Sequence, residues 1–305
     1  MSQEKFDFVS DGLKLRGILH LPDDLKKGDR RAGFLVLHGF GSNKESGSAA
    51  RPAEQLAKLG YVALRFDMRG LGESEGEHAR VICLEQVADT RNALTALARH
   101  PAVDPDRIAV VGTSFGGAVA VYAGGVDQRI AAVISNGGWG DGERKFRGQH
   151  PTPEAWAKFT TMLEEGTRHR ERTGKSLMVP RYDIVPIPQH VKDNLDRQNV
   201  AMFPPGSIEE FPAETAQSMF DFRADDVVGK IAPRPLLLLH SANDSVTPTE
   251  QSIELFRRAG QPAELHLFSG LDHFMFSENS PRLWSVIRDW LDRNFPVHAK
   301  EKVPA

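Results

Sequence analysis

The chain has 305 residues, 40% of them hydrophobic and 26% charged, a composition that supports a full globular core and excludes a disordered or fibrous polypeptide. Its 38 basic residues against 41 acidic ones leave a formal charge of −3, which offers no electrostatic footprint for nucleic acid or an anionic membrane surface. The single cysteine, Cys83, excludes an intrachain disulfide and a multi-cysteine zinc or iron–sulfur site, and points to a reducing compartment.

In chain order, Met1 to Asp11 are polar and charged, without the apolar stretch of a signal peptide, so a cytoplasmic protein is expected. A hairpin is predicted over Phe6–Val9 and Leu13–Leu21. Apolar strands then alternate with helical segments: strands at Gly33–Leu37, Tyr61–Phe66, Ile108–Gly112, Ile130–Ser135, Pro235–His240 and Ala263–Phe268, helices at Ala49–Leu59, Leu84–Arg99, Gly116–Gly124, Thr249–Ala259 and Pro281–Asn294. Runs such as FLVL, IAVV and LLLL are what strands covered on both faces look like, so a mostly parallel α/β sheet flanked by helices is expected. The longest aliphatic run, Leu236–Leu239, is far too short to cross a bilayer.

One interval breaks the alternation. Residues 139–230 show no convincing buried strand, yet hold 8 of the 19 prolines and 4 of the 7 methionines. A structureless loop of that length is improbable inside a compact domain. This interval is therefore expected to be a helical cap inserted after the sixth strand, with helices at Pro153–Arg172 and Ile208–Phe220, while 1–138 and 231–305 form the core.

Ser114 occupies the centre of Gly112-Thr113-Ser114-Phe115-Gly116, between the strand RIAVVG and the helix GGAVAVYAGG. That context puts the serine on a sharp strand-to-helix turn, its hydroxyl presented at the carboxyl edge of the sheet. A serine hydroxyl is a poor nucleophile at neutral pH and needs an imidazole base oriented by a carboxylate. Asp244 follows the strand PLLLLH and His273 follows AELHLF, so both reach the same edge. The loop His38-Gly39-Phe40-Gly41 after FLVL is read as the source of oxyanion donors, with the backbone N–H groups of Phe40 and Phe115 assigned that role.

Competing readings are weaker by position. Asp225 and Asp226 precede their strand and belong to the exit from the cap; His266 lies within a strand and His298 in the tail. His38 is read as a packed structural histidine, Asp67 and Arg69 as loop braces, and Cys83 as an inert thiol. Gly70 and Gly72 lack the third spaced glycine of a dinucleotide fingerprint. Phe40, Trp139, Trp156, Tyr182 and Phe274 are candidate pocket residues, and the arginines of the cap, Arg181 among them, are read as solvated.

HGFGSNK, RFDMRGLGESEG, GTSFGG, HSANDSVTP and GLDHF occur in the order seen in α/β-hydrolases, and the chain resembles serine hydrolases of that superfamily, similar to bacterial cinnamoyl/feruloyl esterases and dienelactone-hydrolase-like enzymes. The resemblance implies an α/β-hydrolase fold and catalytic Ser114, Asp244 and His273. The expected activity is cleavage of a small-molecule carboxylic ester through an acyl-enzyme, with no cofactor, no metal, no nucleic acid and no membrane partner. Amide, thioester or carbon–carbon substrates, acyl transfer, and a non-catalytic ligand-binding role on the same scaffold stay open, as does a homo-oligomeric state.

Overall fold

The apolar runs become neighbouring strands of one eight-stranded sheet: β1 (Ser2–Lys5), β2 (Gly17–Leu21), β3 (Arg31–Leu37), β4 (Val62–Phe66), β5 (Val103–Thr113), β6 (Ile130–Asn136), β7 (Leu236–Ser241) and β8 (Ala263–Phe268). Their order is β1-β2-β4-β3-β5-β6-β7-β8. All pairings from β4 to β8 are parallel, while β2 runs antiparallel to both β1 and β4. The computed structural model describes residues 1–197, 202–278 and 280–298; parts of the expected cap (198–201) and of the expected core (279 and 299–305) lie outside them.

Helices α1 (Gly47–Lys58), α2 (Cys83–Leu97) and α3 (Phe115–Val126) follow β3, β4 and β5. Between β6 and β7 run α4 (Gly142–Gln149), α5 (Pro153–Thr173), α6 (Arg181–Ile184), α7 (Gln189–Arg197) and α8 (Ala213–Asp221); α9 (Glu250–Arg258), α10 (Met275–Glu278) and α11 (Pro281–Asn294) close the chain. Strand alternation sorts the core into two layers. Leu35, Leu37, Val110 and Leu238 pack with α2 and α3 on one face. Phe34, Val36, Val111 and Leu237 pack with α1 and α11 on the other. On α11 the buried residues Leu283, Trp284, Ile287, Trp290 and Leu291 follow the helical period, and each such side chain contributes about 1.5–3 kcal/mol by burial.

Three local expectations are corrected. Leu13–Leu21 is two strands: Leu13–Leu15 pairs with Phe8–Ser10 in a separate hairpin, and β2 joins the main sheet. β1 carried no hydrophobic signal because its four residues are all exposed at the sheet edge. In Ile208–Phe220, the first part is a short strand, Glu210–Pro212, paired with Met178–Pro180; Pro212 has no N–H to give a helix interior, and the helix starts only after it. No described residue between β6 and β7 joins the eight-stranded sheet. The end of this stretch nevertheless packs on the core, since a Cβ at Gly125 of α3 would meet the Val227 carbonyl at 2.5 Å.

Candidate active site

Ser114 stands between the last residue of β5 and the first of α3, with φ 54° and ψ −114°. A non-glycine residue at positive φ outside the helical wells costs on the order of 1–3 kcal/mol and persists only where surroundings enforce it. The enforcement is visible. The Ser114 amide donates to the Asn136 carbonyl at 2.7 Å, and the Ser114 carbonyl accepts from Ala118 at 3.1 Å. A Cβ at Gly116 would lie 2.6 Å from the carbonyl oxygens of Leu37 and His38, and one at Gly117 2.8 Å from Ser135 Oγ. The glycines let α3 start directly against β3, which turns the serine outward.

His273 Nε2 lies 2.9 Å from Ser114 Oγ, and its Nδ1 lies 2.8 Å from Asp244 Oδ2 and 3.1 Å from Oδ1. An ionised carboxylate only accepts, so Nδ1 carries the proton and Nε2 is left to accept from the serine hydroxyl. His273 and Asp244 come from the loops after β8 and β7, and two contacts tie those loops together. Ser241 Oγ donates to the Leu271 carbonyl at 2.7 Å. Asp272 accepts from the amides of Ser245 at 2.9 Å and His273 at 2.8 Å.

Asp244 is buried, with side-chain exposure of 1%. Its Oδ1 accepts from the amides of Val246 at 2.8 Å and Thr247 at 2.7 Å. His240, at the end of β7, places Nε2 3.2 Å from Asp244 Oδ2 and has Nδ1 2.6 Å from Ser252 Oγ. Burial alone raises the Asp244 pKa, but the His273 and His240 imidazoles outweigh it and hold the carboxyl well below its ordinary range.

The turn after β3 lies alongside. A Cβ on Gly39 would sit 3.9 Å from Ser114 Cβ. His38 is buried; its Nδ1 lies 2.9 Å from the Gly39 carbonyl, and its Nε2 accepts from the Met68 amide at 3.4 Å. Burial holds its imidazole below the ordinary pKa, and among the described residues no hydrogen bond joins it to Ser114 or Asp244. The Phe40 and Phe115 amides have no acceptor among the described residues. Asp67 anchors the same turn, accepting from Lys44 N at 2.6 Å and Lys44 Nζ at 2.9 Å. Arg69 does not pair with Asp67: it binds Asp89 and Asp11 instead.

A family profile described as serine aminopeptidase, S33, matches residues 28–280. The chain belongs to this α/β-hydrolase family. Among curated relatives, the thiohydrolase aneE of Aspergillus aculeatus is 28% identical over 275 residues, covering 86% of this chain and 83% of its own. In three dimensions the chain superposes on hypothetical protein PA2218 of Pseudomonas aeruginosa with a TM-score of 0.82 at 24% identity, covering 96% and 94% of the two chains. It superposes on Est1E of Butyrivibrio proteoclasticus, solved with ferulic acid, with a TM-score of 0.64 at 17% identity, covering 94% and 100%. At those identities both structures carry the fold alone.

Above Ser114 and His273 lies a cleft walled by Phe40, Phe274 and Val246, and by Val185, Ile187 and Phe203 from the stretch between β6 and β7. Of the five predicted pocket residues, Phe40 and Phe274 line it. The other three lie elsewhere. Trp139 is buried beneath, 5.7 Å from the Phe115 ring; Trp156 is stacked under Arg147; Tyr182 faces an outer groove beside Pro180 and Pro204. Asp225 pairs with Arg144 at 2.9 Å, His266 with Glu264 at 3.3 Å, and His298 lies against Arg31. Among the described residues, no group of three or more His, Cys, Asp or Glu is arranged to hold a metal, and no helix is long and apolar enough to cross a membrane.

Arg181 departs from the expectation of a solvated side chain. Only 4% exposed, it lines the cleft and donates to backbone carbonyls of the turn after β3 and of Ile208. Burial pulls its guanidinium down to about 10. His240 was likewise missed as a neighbour of Asp244. The only sequence signal for it was its place in HSAND, at the end of the strand that delivers the carboxylate.

Proposed function

We propose that the protein is a serine hydrolase that cleaves a carboxylic ester through a covalent acyl-enzyme, with Ser114 as nucleophile, His273 as general base and acid, and Asp244 as the group that orients the imidazole. The observation that carries this reading is the unbroken relay from Ser114 Oγ to His273 Nε2 at 2.9 Å and from His273 Nδ1 to Asp244 Oδ2 at 2.8 Å. Ser114 Oγ attacks the acyl carbon while its proton passes to His273 Nε2. The Phe40 and Phe115 amides then hold the oxyanion, supplying donors fixed before reaction. Collapse breaks the bond to the leaving oxygen, which takes the proton from His273. Water, deprotonated by the same nitrogen, releases the acid and restores the serine.

In this reading residues 139–230 form a cap, because Arg181, Val185, Ile187 and Phe203 roof the cleft. A thioester is the second substrate class, supported by the likeness to the thiohydrolase aneE over 86% of the chain. The expected result is that a fluorophosphonate probe labels the wild type at Ser114, and that Ser114→Ala loses labelling and turnover of p-nitrophenyl esters while keeping its circular dichroism. Wild-type turnover by Ser114→Ala would overturn the assignment. Matched oxygen esters and thioesters, with product analysis in the presence of alcohol acceptors, separate hydrolysis of the two classes from acyl transfer.

A further inference from the structure

A guanidinium has five N–H donors in a rigid fork, and Arg181 spends only part of that fork. Nε donates to the Ile208 carbonyl at 2.7 Å, and Nη2 to the Gly41 carbonyl at 2.7 Å and again to Ile208. The nearest acceptor of Nη1 is the Phe40 carbonyl, at 3.5 Å, a distance at which a hydrogen bond has all but lost its strength. No carboxylate forms an ion pair with Arg181 among the described residues; Glu209 acts on it only from farther away. The Phe203 ring covers the fork at 3.7 Å. A buried cation held only by neutral carbonyls is costly unless an anion completes it.

A second group points the same way. Ser42, 4% exposed, lines the same cleft, and its Oγ is buried without a hydrogen-bond partner. Ser42 is the residue after Gly41, whose carbonyl Arg181 holds. An unpaired hydroxyl and a guanidinium with Nη1 unspent thus line one cleft, whose walls are mostly apolar, with Ser48 and Thr113 as further polar side chains.

We propose that Arg181 and Ser42 form a subsite for a carboxylate on the acyl chain, so that the substrate is the monoester or monothioester of a short dicarboxylic acid. The inference rests on the hydrolytic reading of Ser114 for its chemistry but not for its binding. Phe40 connects the two ends: its amide is the proposed oxyanion donor and its carbonyl lies 3.5 Å from Arg181 Nη1, so the carboxylate is expected on a short chain from the acyl carbon. Glutaryl and adipyl chains serve as probes of that range.

The test compares mono-p-nitrophenyl glutarate and adipate with p-nitrophenyl pentanoate and hexanoate in the wild type, Arg181→Gln and Ser42→Ala, alongside calorimetric titration of adipate and monomethyl adipate into Ser114→Ala. At least one dicarboxylic ester is expected to exceed its neutral counterpart in kcat/KM by about tenfold or more, the worth of one charge-assisted contact. That ratio should fall toward one in both variants, and adipate should bind Ser114→Ala more tightly than its monomethyl ester. A wild-type ratio of one or less together with equal binding of the two ligands, or a preference that both variants keep, overturns the subsite. Should Arg181→Gln fail to fold, Ser42→Ala carries the comparison. Selective adipate binding without hydrolysis of any ester would leave the subsite standing and remove the hydrolytic reading instead.

Discussion

His240 Nε2 lies 3.2 Å from Asp244 Oδ2, the same oxygen that His273 Nδ1 approaches to 2.8 Å. One carboxylate thus serves two imidazoles, only one of which reaches the serine. The second fixes the plane of the carboxylate, with its own ring held by Ser252 Oγ and the Thr247 carbonyl.

His240→Phe keeps the ring volume but removes that contact. Its kcat for ester hydrolysis should fall about tenfold, the effect of about 1.4 kcal/mol on a barrier, with KM little changed. His240→Gln, which can still donate, should recover part of the loss. Steady-state kinetics of the two variants beside the wild type provide the check, and a parallel rise in KM would instead indicate a deformed cleft.

Asp244 should stay ionised through the working pH range, because its neighbours hold it well below the ordinary carboxylate pKa. The sign for stability follows: its contribution is fully present above the unfolded value of about 3.9 and is lost only as pH falls through the lower folded value. Acid denaturation of Asp244→Asn against the wild type tests this.

Lys145 is fully buried over the rings of Trp139 and Phe146, with Gln149 Oε1 at 2.8 Å. Burial pulls its amine down to about 7, against about 10.4 in an unfolded chain. Between those values the unfolded state binds the extra proton, so this group makes the fold more stable as pH rises. Lys145→Met should therefore stabilise the protein at pH near 7 and flatten the difference between pH 7 and 10. Urea unfolding of both proteins at the two pH values reads it directly.

Gly116→Ala would press a methyl group to 2.6 Å from two carbonyl oxygens of the β3 end. The expected cost is about 1–3 kcal/mol or more of stability, together with loss of activity, since the turn that carries Ser114 must shift. Thermal melts and fluorophosphonate labelling measure the two effects separately.

The parallel sheet was legible because a strand buried on both faces must be apolar at every position, and FLVL, IAVV and LLLL admit little else. Ser114, Asp244 and His273 were legible for a related reason: each lies in the loop or turn after a parallel strand, and parallel strands end on one edge, although β8 before His273 is only partly buried. β1 was hidden because Ser2–Lys5 has no buried face to leave a pattern.

The roof of the cleft was the least readable part. Trp139, Trp156 and Tyr182 have the composition of a pocket, but residue type does not say which way a helix turns, and they face the protein interior, Arg147 and an outer groove respectively. Arg181 was hidden by the reverse argument. Arginine is a surface residue by default, and the carbonyls that make its burial tolerable come from Gly41 and Ile208, distant in sequence.

The Gly41 carbonyl is grasped twice, by the Ile208 amide at 3.0 Å and by Arg181, while the Phe211 ring stacks on Phe40 at 4.3 Å. The stretch between β6 and β7 and the turn after β3 are therefore sewn into one piece. A displacement of Ile208, Phe211 or Arg181 would be felt at Phe40, the residue next to the turn that faces Ser114.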